Sequence, residues 1–153
     1  MDVRDSEQTP AGGSYQFAAV TNVRNDEKEV LSGLRSYNLD PLLGVLHADR
    51  HGRPSLALDL QEEFRPLFCD AFVTRVVNRG TFTHDDFRDD NHRRNDAFQM
   101  YLDKFDGYME EKLTHPYFEY EVTRRKAIHQ QSILLRKAIT GELDAYHALE
   151  VPR

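Results

Sequence analysis

The sequence predicts an all-α fold in which short helices pack around a longer central helix. Apolar residues recur three or four positions apart through most of the chain, and Gly and Pro residues interrupt that period. No segment shows the apolar and polar alternation of a half-buried strand. With 153 residues, 39% of them hydrophobic, the chain has enough material for one core.

Residues 1–25 mix Pro, Gly, Ser and charged residues without a sustained period, which predicts an irregular leader before a helical domain over 26–153. A first helix is expected from the start of this domain to about Asn38, because the residue before Pro41 disfavours helix. The apolar face of this first helix carries Val30, Leu31 and Leu34.

A second helix is predicted from Asp59 to about Val77, after a loop rich in turn-forming residues over 49–55. Pro66 should kink this helix or begin another one. The single cysteine, Cys69, lies in the same apolar stretch, which excludes a disulfide framework and a cysteine zinc site.

The second half of the chain predicts two further helices. The first should begin at the capping arrangement of Thr83 and Asp86 and run to Leu113, although the charged run 85–95 is typical of a solvated loop or face. The last should span 122–139, with Gly141 ending it.

The formal net charge of −6 argues against nucleic-acid binding through a bulk positive field, so any DNA contact should be local or assisted by a metal ion. No segment approaches the roughly 20 apolar residues that span a bilayer, and no secretory signal opens the chain. The expected location is cytoplasmic, without membrane association.

Asp59, Glu62 and His47 are the residues that suggest chemistry. Two carboxylates three positions apart on a helix project to one side, where they repel each other unless a cation joins them. Carboxylates suit Mg²⁺, and an added imidazole favours Mn²⁺. The same Asp59 and Glu62 spacing also fits a capping box, with Asp59 as the N-cap residue, and both interpretations are open at this point.

Several ordered segments closely resemble the C-terminal helical domain of the CRISPR-associated adaptation integrase family. They are LDP at 39–41, GVLHADR at 44–50, GRPSLALDL at 52–60, EEFRP at 62–66, VNR at 77–79, THP at 114–116, LLR at 134–136 and GELDAY at 141–146.

The resemblance implies an all-α catalytic domain of a metal-dependent DNA endonuclease and integrase that acts in spacer acquisition. His47 and Glu62 match metal ligands that use Mg²⁺ or Mn²⁺, and Asp59 matches their acidic neighbour. The implied partners are prespacer and CRISPR-array DNA, a second copy in a homodimer, and a small companion adaptation protein.

Members of this family also carry an N-terminal β-rich domain and a Glu-Gly motif with a third metal ligand, and neither is visible in this sequence. The chain is therefore interpreted as an incomplete copy. The alternatives are a non-catalytic remnant that binds DNA or partner proteins, and a generic helical interaction module. Candidate DNA-binding residues are Arg65, Arg79, Arg124, Arg125 and Lys126, of which the last three begin a basic stretch without acids.

Overall fold

The computed structural model describes residues 26–43, 54–82, 86 and 91–150, and these are mostly helical. The helical fold class predicted from the sequence is confirmed, whereas the predicted leader over 1–25 lies outside the described residues. The helices are α1 over 26–36, α2 Ser55–Phe64, α3 Ala71–Asn78, α4 Asn91–Met109 and α5 Arg124–Ile139.

A π-helical segment, Arg65–Asp70, joins α2 directly to α3. Pro66 stands in its first turn, where a residue without a backbone N–H cannot donate to the preceding turn and its ring crowds the carbonyl there. The wider π turn absorbs this conflict without ending the helix. The predicted interruption at Pro66 is confirmed, and it takes the form of a π-helical insertion.

The prediction of no strands is wrong, because the chain forms a short antiparallel ribbon between α4 and α5. Strand β1, Lys112–Thr114, pairs with β2, Glu121–Thr123, with Leu113 opposite Val122. Three-residue strands are too short to show alternation in the sequence. The ribbon ends α4 at Met109, four residues before the predicted end, and delays the start of α5 to Arg124.

The start of α4 and the end of α5 can also be compared with the predictions. Helix α4 begins at Asn91, so the last part of the charged run 85–95 is helical, and the predicted start at Thr83 lies outside the described residues. Gly141 follows the end of α5 with φ +77°, a left-handed conformation that glycine adopts without strain. The predicted termination at Gly141 is confirmed.

The core is built from one face of each helix and from a cluster of aromatic rings. The rings of Tyr101, Phe105 and Tyr108 from α4 all lie 5.1–5.4 Å from that of Phe72 on α3. Helix α1 packs against α5 closely enough that a Cβ on Gly33 would stand 2.7 Å from the Ser132 hydroxyl oxygen. In the described part of the chain, no helix is both long and apolar enough to cross a membrane.

Candidate functional site

Helix α2 carries the two acidic residues predicted to bind metal, and its start decides between the two interpretations of Asp59. The helix begins at Ser55 with Pro54 in the N-cap position, and no side chain caps it. Asp59 therefore lies inside the helix, where the backbone N–H groups already have intrahelical partners. The capping interpretation is wrong, because the helix starts four residues earlier than the apolar pattern suggested.

Asp59 and Glu62 lie three residues apart within α2, with Asp59 half-buried and Glu62 exposed. At this spacing the Cβ atoms of a helix are roughly 5–6 Å apart, so both carboxylates can approach one ion. Carboxylate oxygens are the donors that Mg²⁺ and Mn²⁺ prefer, and the two residues therefore fit part of a divalent-metal site.

The predicted imidazole ligand, His47, lies outside the described residues. Across 26–43, 54–82, 86 and 91–150, no three His, Cys, Asp or Glu side chains come together to hold a metal ion. The backbone N–H of Leu56 donates to the carbonyl oxygen of Pro41 at 2.9 Å, which brings the chain six residues before His47 against the first turn of α2. The metal-binding role of His47, Asp59 and Glu62 stays a prediction.

Glu63, next to Glu62, is a polar anchor that the sequence did not reveal. Its carboxylate accepts hydrogen bonds from the Gln131 amide at 2.6 Å, the Tyr146 hydroxyl at 2.6 Å and the backbone N–H of Leu149 at 2.5 Å. Gln131 is fully buried on α5, between the buried Ile128 and Leu134. A glutamine inside an apolar helical stripe was the signal in the sequence that a buried partner was needed.

Burial shifts the pKa values in this network. Loss of hydration raises the pKa of Glu63, and the hydrogen bonds from Tyr146, Leu149 and Gln131 oppose that rise. The pKa of the Tyr146 hydroxyl rises because it is buried beside this carboxylate. Burial lowers the pKa of His115, whose Nε2 lies 3.1 Å from the amide oxygen of Gln131. Burial therefore favours the neutral imidazole, although the hydrogen bond with Gln131 opposes this shift.

Two of the predicted DNA-binding residues, Arg124 and Arg125, contact acidic residues within the fold. Arg124 bonds the carboxylate of Glu111 at 3.0 Å and lies 3.8 Å from the centre of the Tyr108 ring. Arg125 forms ion pairs with three carboxylates, those of Glu29, Asp106 and Glu110. The positive excess along this part of the sequence is thus offset in space by acids from α1, the end of α4 and the turn after it.

The remaining candidates for DNA contact are exposed. Arg65 stands in the π-helical segment one turn after Glu62, Arg79 follows the end of α3, and Lys126 lies in the first turn of α5. The structure gives Arg124 and Arg125 a packing role in addition to any other. A contact of any of these five residues with DNA stays a prediction.

Substituting Arg124 and Lys126 should separate packing from DNA contact. Arg124→Ala is expected to lower the free energy of unfolding by about 1–2 kcal/mol, because it removes an ion pair and a cation–π contact from a side chain only 16% exposed. Lys126→Ala should change it by less than about 0.5 kcal/mol and reduce the salt slope of DNA binding by about one unit. Urea unfolding measures the stability of each variant, and salt titrations with a labelled DNA duplex measure the salt slope of binding. Unchanged stability in Arg124→Ala would contradict the packing role.

The chain was compared with known protein families and with individual proteins, and the matches agree with one another. Residues 27–105 match the sequence model of the family described as CRISPR associated protein Cas1. The chain is 56% identical over 119 residues to CRISPR-associated endonuclease Cas1 4 of Methanospirillum hungatei, which covers 78% of this chain and 34% of that protein. It is 37% identical to CRISPR-associated endonuclease Cas1 3 of Thermus thermophilus, over 81% of this chain and 38% of that protein.

Solved structures share the fold. A Cas1 protein from Thermotoga maritima aligns with a TM-score of 0.72 at 23% identity, over 81% of this chain and 39% of the other. A casposase bound to its integration product aligns with a TM-score of 0.75 at 21% identity, over 94% of this chain and 42% of the casposase chain. The chain thus spans between 34% and 42% of the length of these four proteins.

Proposed function

Because the chain belongs to the Cas1 family of CRISPR-associated proteins, we propose that it supplies the metal-binding helical part of a DNA endonuclease and integrase that acts in CRISPR adaptation. The observation that carries the proposal is the placement of Asp59 and Glu62 inside α2. An interior position leaves these two acids without a capping role. Metal binding explains two neighbouring carboxylates on one side of a helix better than capping does.

The three residues would act together on a phosphodiester. Asp59 and Glu62 would supply carboxylate oxygens from a helix whose opposite side is buried. His47 would supply an imidazole, and it follows by six residues Pro41, whose carbonyl oxygen accepts from Leu56 in the first turn of α2. A bound Mg²⁺ or Mn²⁺ offsets charge on the phosphate and lowers the pKa of an attacking hydroxyl. Arg65, exposed one turn after Glu62, would contact a phosphate oxygen.

The proposed substrates are prespacer DNA and the CRISPR array. A 3′-hydroxyl of the prespacer would attack a phosphodiester of the array, and the new phosphodiester would form as the P–O3′ bond of the array strand breaks and releases a 3′-hydroxyl. The casposase relative was solved bound to an integration product, which supports strand transfer as the reaction. A second copy of the chain and a small companion adaptation protein are the proposed protein partners.

The test is Mn²⁺-dependent cleavage and strand transfer on branched DNA. His47→Ala and Glu62→Ala should each reduce the rate at least about a hundredfold, because loss of a ligand misplaces the reacting groups. Glu121→Ala is the matched control, since it removes an exposed glutamate from β2 and should retain the wild-type rate. Far-ultraviolet circular dichroism verifies that all variants are folded.

Two outcomes would contradict the proposal. Activity that survives in both site variants would place the chemistry elsewhere. A folded wild-type chain that shows no reaction, yet binds DNA in EDTA with an affinity that falls with salt, would support the non-catalytic remnant instead.

A further inference from the structure

Glu63 joins the proposed metal-binding helix to two other parts of the fold. One carboxylate oxygen accepts from the Gln131 amide on α5 and from the backbone N–H of Leu149, and the other accepts from the Tyr146 hydroxyl. Gln131 and Tyr146 follow Glu63 by 68 and 83 residues. A single side chain therefore ties α2 to α5 and to the C-terminal segment 143–150.

The donors form a directed network that ends at this carboxylate. The backbone N–H of Tyr117 donates to Nδ1 of His115 at 3.3 Å, so Nε2 carries the proton of the neutral ring and donates to the Gln131 amide oxygen. The Gln131 amide nitrogen in turn donates towards Glu63, the Tyr146 oxygen and the carbonyl oxygen of His147. Glu63 accepts hydrogen bonds on both carboxylate oxygens, whereas glutamine, a neutral side chain of the same size, has only one acceptor oxygen.

The directional bonds at Glu63 restrict how α2 can rotate. The apolar side chains that α2 buries, Leu56, Ala57, Leu60 and Phe64, make contacts without a preferred direction, and the helix also buries the polar Ser55 and Gln61. Successive residues of a helix project about 100° apart, so a small rotation about the helix axis would move the Glu62 carboxylate sideways. Glu63 stands directly after Glu62 and one turn after Asp59.

We propose that Glu63 is a positioning residue, which sets the orientation of Asp59 and Glu62 through its bonds to Gln131 and Tyr146. This inference rests on the proposed function of α2 as a metal-binding helix. It predicts that a substitution in the network lowers metal affinity more than a substitution elsewhere that costs the same stability.

The test compares Glu63→Gln and Tyr146→Phe with Val76→Ala, a core substitution on α3 that leaves the network intact. Mn²⁺ affinity is measured by calorimetry at a temperature where all variants are folded, and amide hydrogen exchange of α2 is measured without metal. Both network variants should bind Mn²⁺ about tenfold more weakly and exchange faster at 60–64, as expected for a group that orients metal ligands. Val76→Ala should change the affinity less than about twofold.

The readouts separate this inference from the proposed function. Network variants that behave like Val76→Ala in both measurements would overturn the positioning role. If the wild type binds no Mn²⁺, or if Glu62→Ala binds it unchanged, the proposed metal site fails. The metal-free exchange of α2 then decides alone whether Glu63 positions the helix.

Discussion

Replacing Asp26 with asparagine is expected to remove a fall in stability that the wild type shows between about pH 4 and pH 7. Asp26 is fully buried on α1, and neither of its carboxylate oxygens has a hydrogen bond of ordinary geometry. Burial raises its pKa from 3.8 to about 7; the neighbouring Cys69 thiol opposes this rise, and the negative charge of Glu29 adds to it.

The direction of this pH dependence follows from proton binding. The folded carboxyl keeps its proton up to about pH 7, whereas the unfolded one loses it near 3.8. The folded state therefore binds more protons in that window, and stability falls as pH rises through it. A shift of this size corresponds to roughly 4 kcal/mol at pH 8.

The measurement is urea unfolding of the wild type and Asp26→Asn at several pH values from 4 to 8. The difference between the two proteins isolates Asp26, because other titrating groups, including His115, contribute equally to both. Asp103→Asn, at an exposed position on α4, should reproduce the wild-type profile. If the free energy of unfolding changed with pH by the same amount in the wild type and in Asp26→Asn, Asp26 would be solvated or paired in solution.

Phe72→Ala is expected to lower the free energy of unfolding by about 3–5 kcal/mol, enough to unfold a domain of marginal stability. The side chain is 2% exposed, and its ring contacts those of Tyr101, Phe105 and Tyr108 on α4. Truncation would leave a cavity between α3 and α4 and remove three aromatic contacts, because close-packed rings of two helices cannot collapse into the space.

Val77→Ala provides the control for Phe72→Ala on the same helix, since Val77 is 38% exposed. It should change the free energy of unfolding by less than about 0.5 kcal/mol. Thermal and urea unfolding of both variants give the comparison. A loss below about 1 kcal/mol in Phe72→Ala would mean that α3 and α4 do not pack through this ring.

Part of the candidate site followed from local spacing. The three-residue interval between Asp59 and Glu62 placed two acids on one side of a helix, whatever the rest of the chain does. Where that helix begins depends on residues 54–58, whose apolar character continues the buried face of α2 upstream of the acids. The start at Ser55 removed the capping interpretation, because it places Asp59 inside the helix.

The basic stretch at the start of α5 shows the limit of charge counting along a sequence. The sequence has no acid between Val122 and Gly141, and this suggested a surface for DNA. The partners of Arg124 and Arg125 come from α1, the end of α4 and the turn after it, and these meet α5 only in the folded molecule. Ion pairs form between side chains that are close in space. A cluster of basic residues in the sequence therefore gives a positive surface only where no acidic side chains from other elements pack against it.

The sequence by itself determined the helical class, the interruption at Pro66, the end of α5 before Gly141 and the paired acids of α2. These features depend on backbone sterics and on a helical period that acts within a few residues. Only the tertiary structure decided the ribbon after α4, the burial of Asp26 and the anchoring of Glu63 by Gln131 and Tyr146. Buried polar groups take their partners from whichever element packs against them, and periodicity reports which face is buried but not what lies opposite it.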